Sequence, residues 1–149
     1  MRNHQWAHFS CHGIQNPAAP SKARLALHDG SLTIQQIAGM NLSNASLAYL
    51  SACDTYRGGS NIPDEGITLA AALQLAGYQH VIATLWQIGV TTSDVARHFY
   101  NQIVKDDNGT TRIDINEVAP ALRAAIADLR EESPGIPPMY WAAYIHTGP

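Results

Sequence analysis

An α/β layered fold with a mainly parallel sheet is what the sequence predicts, and three observations lead there. Residues 47–53 (LAYLSAC) and 80–86 (HVIATLW) are nearly continuous apolar runs of strand length. Such runs fit parallel strands covered on both faces. A stretch of helical periodicity lies between them, and strand–helix–strand alternation favours parallel neighbours. The 149 residues suit one domain, spanning 1–149. Hydrophobic residues at 46% and charged residues at only 14% permit a real core and exclude wholesale disorder.

The elements follow in order. Residues 6–11 form a short apolar run that His12-Gly13 breaks, a strand ending in a turn. Residues 14–21 hold Pro17 and Pro20 and read as loop. Leu25 and Leu27 fall on one side of an alternating stretch. Asp29-Gly30 then turns the chain back towards Leu32, a hairpin signature. Residues 33–38 fit one or two helical turns opened by a Thr cap. After the run at 47–53, residues 56–64 contain Gly58, Gly59, Asn61 and Pro63 and read as a mobile loop. Asp64 or Glu65 opens a helix to Ala76. Ile67, Leu69, Ala70, Leu73 and Ala76 lie near helical spacing, and Gly77 stands just past the end.

The strand at 80–86 comes next. Thr91 or Thr92 then caps a helix to about Val104, with Val95, Phe99 and Ile103 four apart. Residues 106–112 read as a polar turn around Gly109. Asn116 is the expected cap of a helix to about Glu131. Pro120 is tolerated in its first turn, whose amides lack helical partners. Leu122, Ile126 and Leu129 form its buried stripe. A Pro/Gly-rich loop at 133–138 leads to a final strand at 140–146 (YWAAYIH).

Composition excludes several function classes. A formal net charge of −3 argues against a nucleic-acid-binding face. No apolar run reaches the roughly 18 residues of a membrane span. The first residues, MRNHQWAHFSCHG, lack the apolar segment of a secretory signal. Two cysteines without such a signal fit free thiols in a reducing, cytoplasmic setting.

Sites on parallel sheets lie beyond the carboxyl ends of the strands. One strand here ends at His12-Gly13 and another at Cys53. If these strands are parallel neighbours, imidazole and thiol emerge on the same rim, as a cysteine protease requires. The thiolate attacks a carbonyl, and the histidine activates it or protonates the leaving amine. Backbone N–H groups near Gly13 and Cys53 would hold the oxyanion, glycine permitting close approach. The plain alternatives are a buried strand-end thiol for Cys53 and a turn histidine for His12. His4, His8, His28, His80, His98 and His146 show no tight ligand spacing. Cys11-His12 with Cys53 offers zinc three ligands and no evident fourth. Gly58-Gly59 lacks the Lys-Ser/Thr of a phosphate loop, and no nucleophile elbow is present. Trp86 and Trp141 are read as core.

HFSCHG at 8–13, LHDGSLT at 27–33, LAYLSACDT at 47–55, DEGITLAAALQLAGYQHVIATLW at 64–86, FY at 99–100 and YWAAYIHTG at 140–148 occur in one order. In that order they resemble CHAT domains, a caspase- and separase-like group of cysteine peptidases often joined to tetratricopeptide arrays. The resemblance covers nearly the whole chain. It implies a caspase-like three-layer α/β/α fold and peptide-bond hydrolysis by a His–Cys dyad, with no metal or organic cofactor. The family's catalytic histidine, which precedes a glycine, matches His12. Its catalytic cysteine in the Ser-Ala-Cys motif matches Cys53. Cys11 has no catalytic counterpart there and is read as a strand residue. Asp54, Asp64 and Glu65 are candidates for supporting the site loop. Asp64 and Glu65 equally suit a helix cap, the preferred reading.

One departure stands out. Relatives commonly carry an acidic residue a few positions after the Leu-Trp, near the first substrate pocket. Residues 85–91 here (LWQIGVT) are about one residue short and hold no acid. The alternative function is therefore a non-catalytic interaction or regulatory module that keeps the peptidase fold, although both dyad residues are present. The resemblance also implies strands before the histidine strand, for which the chain has no residues. The expected partners are a protein or peptide substrate, a missing N-terminal half and tetratricopeptide or other regulatory segments. A sheet edge exposed near residues 6–10 would favour self-association.

Overall fold

The computed structural model describes residues 1, 3–14, 22–51, 65–86, 88, 92–107 and 110–149. Strand β1 (Trp6–Phe9) is the first apolar run. The break falls at Ser10 and Cys11, and the chain re-extends as β2 (His12–Ile14). β3 (Arg24–Leu27) and β4 (Gly30–Thr33) form the expected hairpin, with Leu27 opposite Gly30. β2 joins β3 antiparallel, His12 opposite Ala26 and Gly13 opposite Leu25. The turn expected at His12-Gly13 is thus corrected to a strand start, and Cys11 lies in the bend, not in a strand. The cause is tertiary, because β3 supplies ladder partners that local sequence does not announce.

Helix α1 (Ile34–Ala38) opens as expected on Thr33. The Thr33 hydroxyl accepts the Gln36 N–H at 3.2 Å, and the Gln36 side chain accepts the Thr33 N–H at 2.9 Å. β5 (Leu47–Leu50) is buried at every position. Helix α2 (Glu65–Ala76) ends at Gly77, whose φ is +121°. There the Leu42 carbonyl occupies the place of a β-carbon, so only glycine fits. β6 (His80–Thr84) is likewise buried throughout.

Helix α3 (Thr92–Ile103) buries Val95, Phe99 and Ile103, the stripe its spacing predicts. The polar turn expected next is corrected to a ribbon, β7 (Val104–Asp107) antiparallel to β8 (Thr110–Ile113). Its signal was legible: β-branched residues flank Asn108-Gly109, a hairpin dipeptide. A 3-10 turn, Ile115–Glu117, precedes helix α4 (Val118–Glu132). Asn116 is not the cap of α4: Glu117 stands there without a side-chain bond, and Asp114 caps the 3-10 turn, its carboxylate accepting the Asn116 N–H at 3.0 Å. Pro120 sits in the first helical turn, where it removes no helical bond. The last strand is shorter than expected. Pro138–Tyr140 is a 3-10 turn, and β9 covers only Tyr144–Thr147.

The chain divides into two compact units, Met1–Gln87 with Ala143–Pro149, and Ile88–Ala142. The first unit carries a four-stranded sheet in the order β1-β5-β6-β9. β1, β5 and β6 run parallel, and β9 runs antiparallel to β6. The sheet is therefore mainly parallel, as predicted. Its core gathers Phe9, Leu25, Ile37, Ala48, Leu50, Leu69, Leu73 and Val81. The second unit holds α3 and α4, the β7–β8 ribbon and the 3-10 turns. Here His98, almost buried, sits 3.0 Å through Nε2 from a Glu132 carboxylate oxygen, joining α3 to α4. Among the described residues, no helix is long and apolar enough to cross a membrane.

Candidate active site

The register of the first parallel pair positions the rim. Trp6 faces Leu47, His8 faces Tyr49 and Phe9 faces Leu50. The Ser51 N–H donates to the Phe9 carbonyl at 2.9 Å, which carries the ladder one residue beyond β5. The carboxyl ends of β1 and β5 are thus neighbours. Residues two apart share a strand face, so His8, Tyr49 and Ser51 lie together. The His8 and Tyr49 ring centroids are 4.8 Å apart. His8 Nε2 and Ser51 Oγ are hydrogen-bonded at 2.8 Å. Ser51 itself is only 7% exposed. His8 keeps an exposed face in β1, and its partial burial lowers the pKa below the ordinary value, so the ring is neutral at neutral pH.

His12 is exposed at the start of β2, and Gly13 beside it is buried opposite Leu25. Cys53, Asp54 and Asp64 lie outside the described residues, as does the loop at 56–64. Glu65 is the first residue of α2. Of the segment after Trp86, only Ile88 is described before Thr92, and it is buried. Cys11 is half-buried against the core, and burial pushes its thiol pKa up. A raised thiol pKa means little thiolate at neutral pH, so Cys11 is not an activated nucleophile. Among the described residues, no group of three or more His, Cys, Asp or Glu side chains is arranged for a metal ion.

The family model described as CHAT domain matches residues 2–149. The chain belongs to the CHAT-domain family. CHAT domains are a caspase-like cysteine peptidase family, and the mixed α/β fold with its mainly parallel sheet agrees with that. No curated protein matches the chain.

Two features of this CHAT domain depart from the sequence reading. Trp141 is not core. It is half-buried, carries the Arg130 guanidinium 4.5 Å from its ring centroid, and lines an open cleft of about 460 Å³ with Ala127, Glu131 and Ile136. His80 and His146, which show no ligand spacing in sequence, meet across β6 and β9 with Nδ1 and Nε2 3.0 Å apart. Their rings stack at 5.2 Å. One imidazole donates and the other accepts, a bond between neutral rings. The His8–Ser51 contact, at the carboxyl ends of β1 and β5, is one that local reasoning missed. Its two residues are 43 apart in the chain, and the only local hint is that each lies in a motif of the family, HFSCHG and LAYLSACDT.

Proposed function

We propose that this CHAT domain is a cysteine endopeptidase with Cys53 as nucleophile and His12 as general acid/base. The Cys53 thiolate attacks the peptide carbonyl carbon, and N–H groups near Gly13 and Cys53 receive the oxyanion. His12 delivers a proton to the leaving amine as the C–N bond breaks. Water, deprotonated by His12, then hydrolyses the thioester and frees the thiol. The observation that carries this reading is the parallel pairing of β1 with β5, Phe9 opposite Leu50. His12 and Cys53 each follow those adjacent strand ends by three positions (9 to 12 and 50 to 53). The chemistry calls for no metal or organic cofactor. The substrate is a protein or peptide lying extended along the rim. Asp54 is a candidate for supporting the loop beside it, while Asp64 and Glu65 are assigned first to capping the helix that follows and second to that support. Tetratricopeptide or other regulatory segments, in a cytoplasmic setting, gate the activity.

A peptide bearing a thiol-directed electrophile tests this. Wild type should be labelled at Cys53, Cys53→Ala not at all, and His12→Ala about 100-fold or more slowly. Equal labelling of wild type and His12→Ala, with none lost in Cys53→Ala, defeats the proposal and leaves the non-catalytic module as the function.

A further inference from the structure

We infer that His8 is a positioning residue of the proposed peptidase, acting through Ser51 on the segment that carries Cys53. The inference rests on the reading of Cys53 as the nucleophile. It begins with the backbone. Ser51 is the last described residue before the Ser-Ala-Cys segment continues, and its N–H is held by the Phe9 carbonyl of β1 at 2.9 Å. The side chain is held from the same strand, with His8 Nε2 at 2.8 Å from Ser51 Oγ. Two bonds from one strand therefore fix both the path and the roll of the chain two positions before Cys53.

The imidazole is itself held in place. The Tyr49 ring lies 4.8 Å from it, centroid to centroid, tilted by 33°. Tyr49 is fully buried, so this backing is rigid. Ser51 is buried too, at 7% exposure. A hydrogen bond to a buried hydroxyl is less open to competition from water than one at the surface, so it favours one geometry. Displacements of about 1 Å in a nucleophile cost rates of up to about a hundredfold. A brace this close to the nucleophile's segment is therefore a determinant of rate, not only of stability.

A histidine bonded to a serine also has the form of a nucleophilic pair. Burial of Ser51 opposes that role, because a substrate carbonyl would have to reach a side chain on a residue only 7% exposed. Burial also lowers the pKa of His8, which weakens it as a base.

The test measures second-order labelling of Cys53 by the peptide electrophile in wild type, His8→Ala, His8→Gln, Ser51→Ala and the His8→Ala/Ser51→Ala pair. Thermal midpoints are taken for each. Both single alanine variants should label about 10- to 100-fold more slowly while folded. The double variant should be no slower than the slower single, since the two residues act as a unit. His8→Gln, whose amide can bond the same hydroxyl, should recover most of the rate. The pH profile of labelling should keep its wild-type shape, because His8 transfers no proton. Ser51→Ala carries the comparison should His8→Ala not fold. Unchanged labelling in folded His8→Ala and Ser51→Ala, even with lowered midpoints, reduces the pair to a structural contact and overturns the inference alone. Fluorophosphonate labelling of Cys53→Ala that disappears in Cys53→Ala/Ser51→Ala makes Ser51 a nucleophile and overturns it as well. A wild type that does not label at Cys53 overturns the peptidase reading, and this inference with it.

Discussion

Three histidines are held neutral by their surroundings. Burial lowers the pKa of His8, His80 and His146 below the ordinary 6.5, and for His146 the charge of a protonated His80 adds to the effect. Below about pH 6.5 the unfolded chain takes up protons on these rings before the folded chain does. The unfolded state then binds more protons, so their contribution to stability is complete above that pH and declines as pH falls. Each full proton of difference is worth about 1.4 kcal/mol per pH unit. Thermal midpoints between pH 7.5 and 5.5 should therefore fall on acidification. His146→Gln keeps a hydrogen-bonding neighbour for His80 and should fall less steeply. An identical pH dependence in that variant removes the His80–His146 pair from the account. Cys11, one residue from His12, has its thiol pKa raised by burial, which lowers its thiolate fraction at neutral pH.

Element boundaries are set by single backbone requirements. α2 stops at Gly77 because the next turn needs a positive φ and because the Leu42 backbone passes where a side chain would stand. The same junction is stitched by the Leu42 N–H donating to the Ala76 carbonyl at 2.8 Å. Gly77→Ala should cost about 1–3 kcal/mol, from strain at positive φ and displacement of that backbone. Denaturant unfolding of the two proteins reads this directly, and an equally stable variant would show that the Leu42 segment yields without cost. Other boundaries obey local chemistry. Thr33 with Gln36 makes a capping box that the sequence displays openly. Asp114 caps the short 3-10 turn that precedes α4, so Glu117 takes the α4 cap position without a side-chain bond and Asn116 lies inside the turn.

At the scale of the molecule, β1 stands at the end of the strand order among the described residues. Strands in that position are templates for pairing with another chain. Only 14% of the residues are charged, which gives little repulsion between copies. The chain by itself should therefore self-associate. Sedimentation velocity should show a weight-average mass that rises with concentration. A sharp monomer boundary at high concentration, with cooperative unfolding, would sink this expectation.

The apolar runs at 47–53 and 80–86 by themselves determined the α/β class. Local patterns likewise determined the β3–β4 hairpin, the α1 cap, the α2 terminus and the α3 stripe. These signals act within about one helical turn or one strand, where propensity and periodicity are enough. His12, Gly13 and Cys53 were legible as candidates because each lies at the end of an apolar run. Tertiary structure decided what lies between distant segments. It made His12 the first residue of a strand by lending it Ala26 as partner. It turned β9 antiparallel against β6 and brought His146 to His80. It also tied His8 to Ser51 across 43 residues. None of these follows from local preference, because strand order and register are chosen by which buried faces fit together, and that choice involves the whole sheet at once.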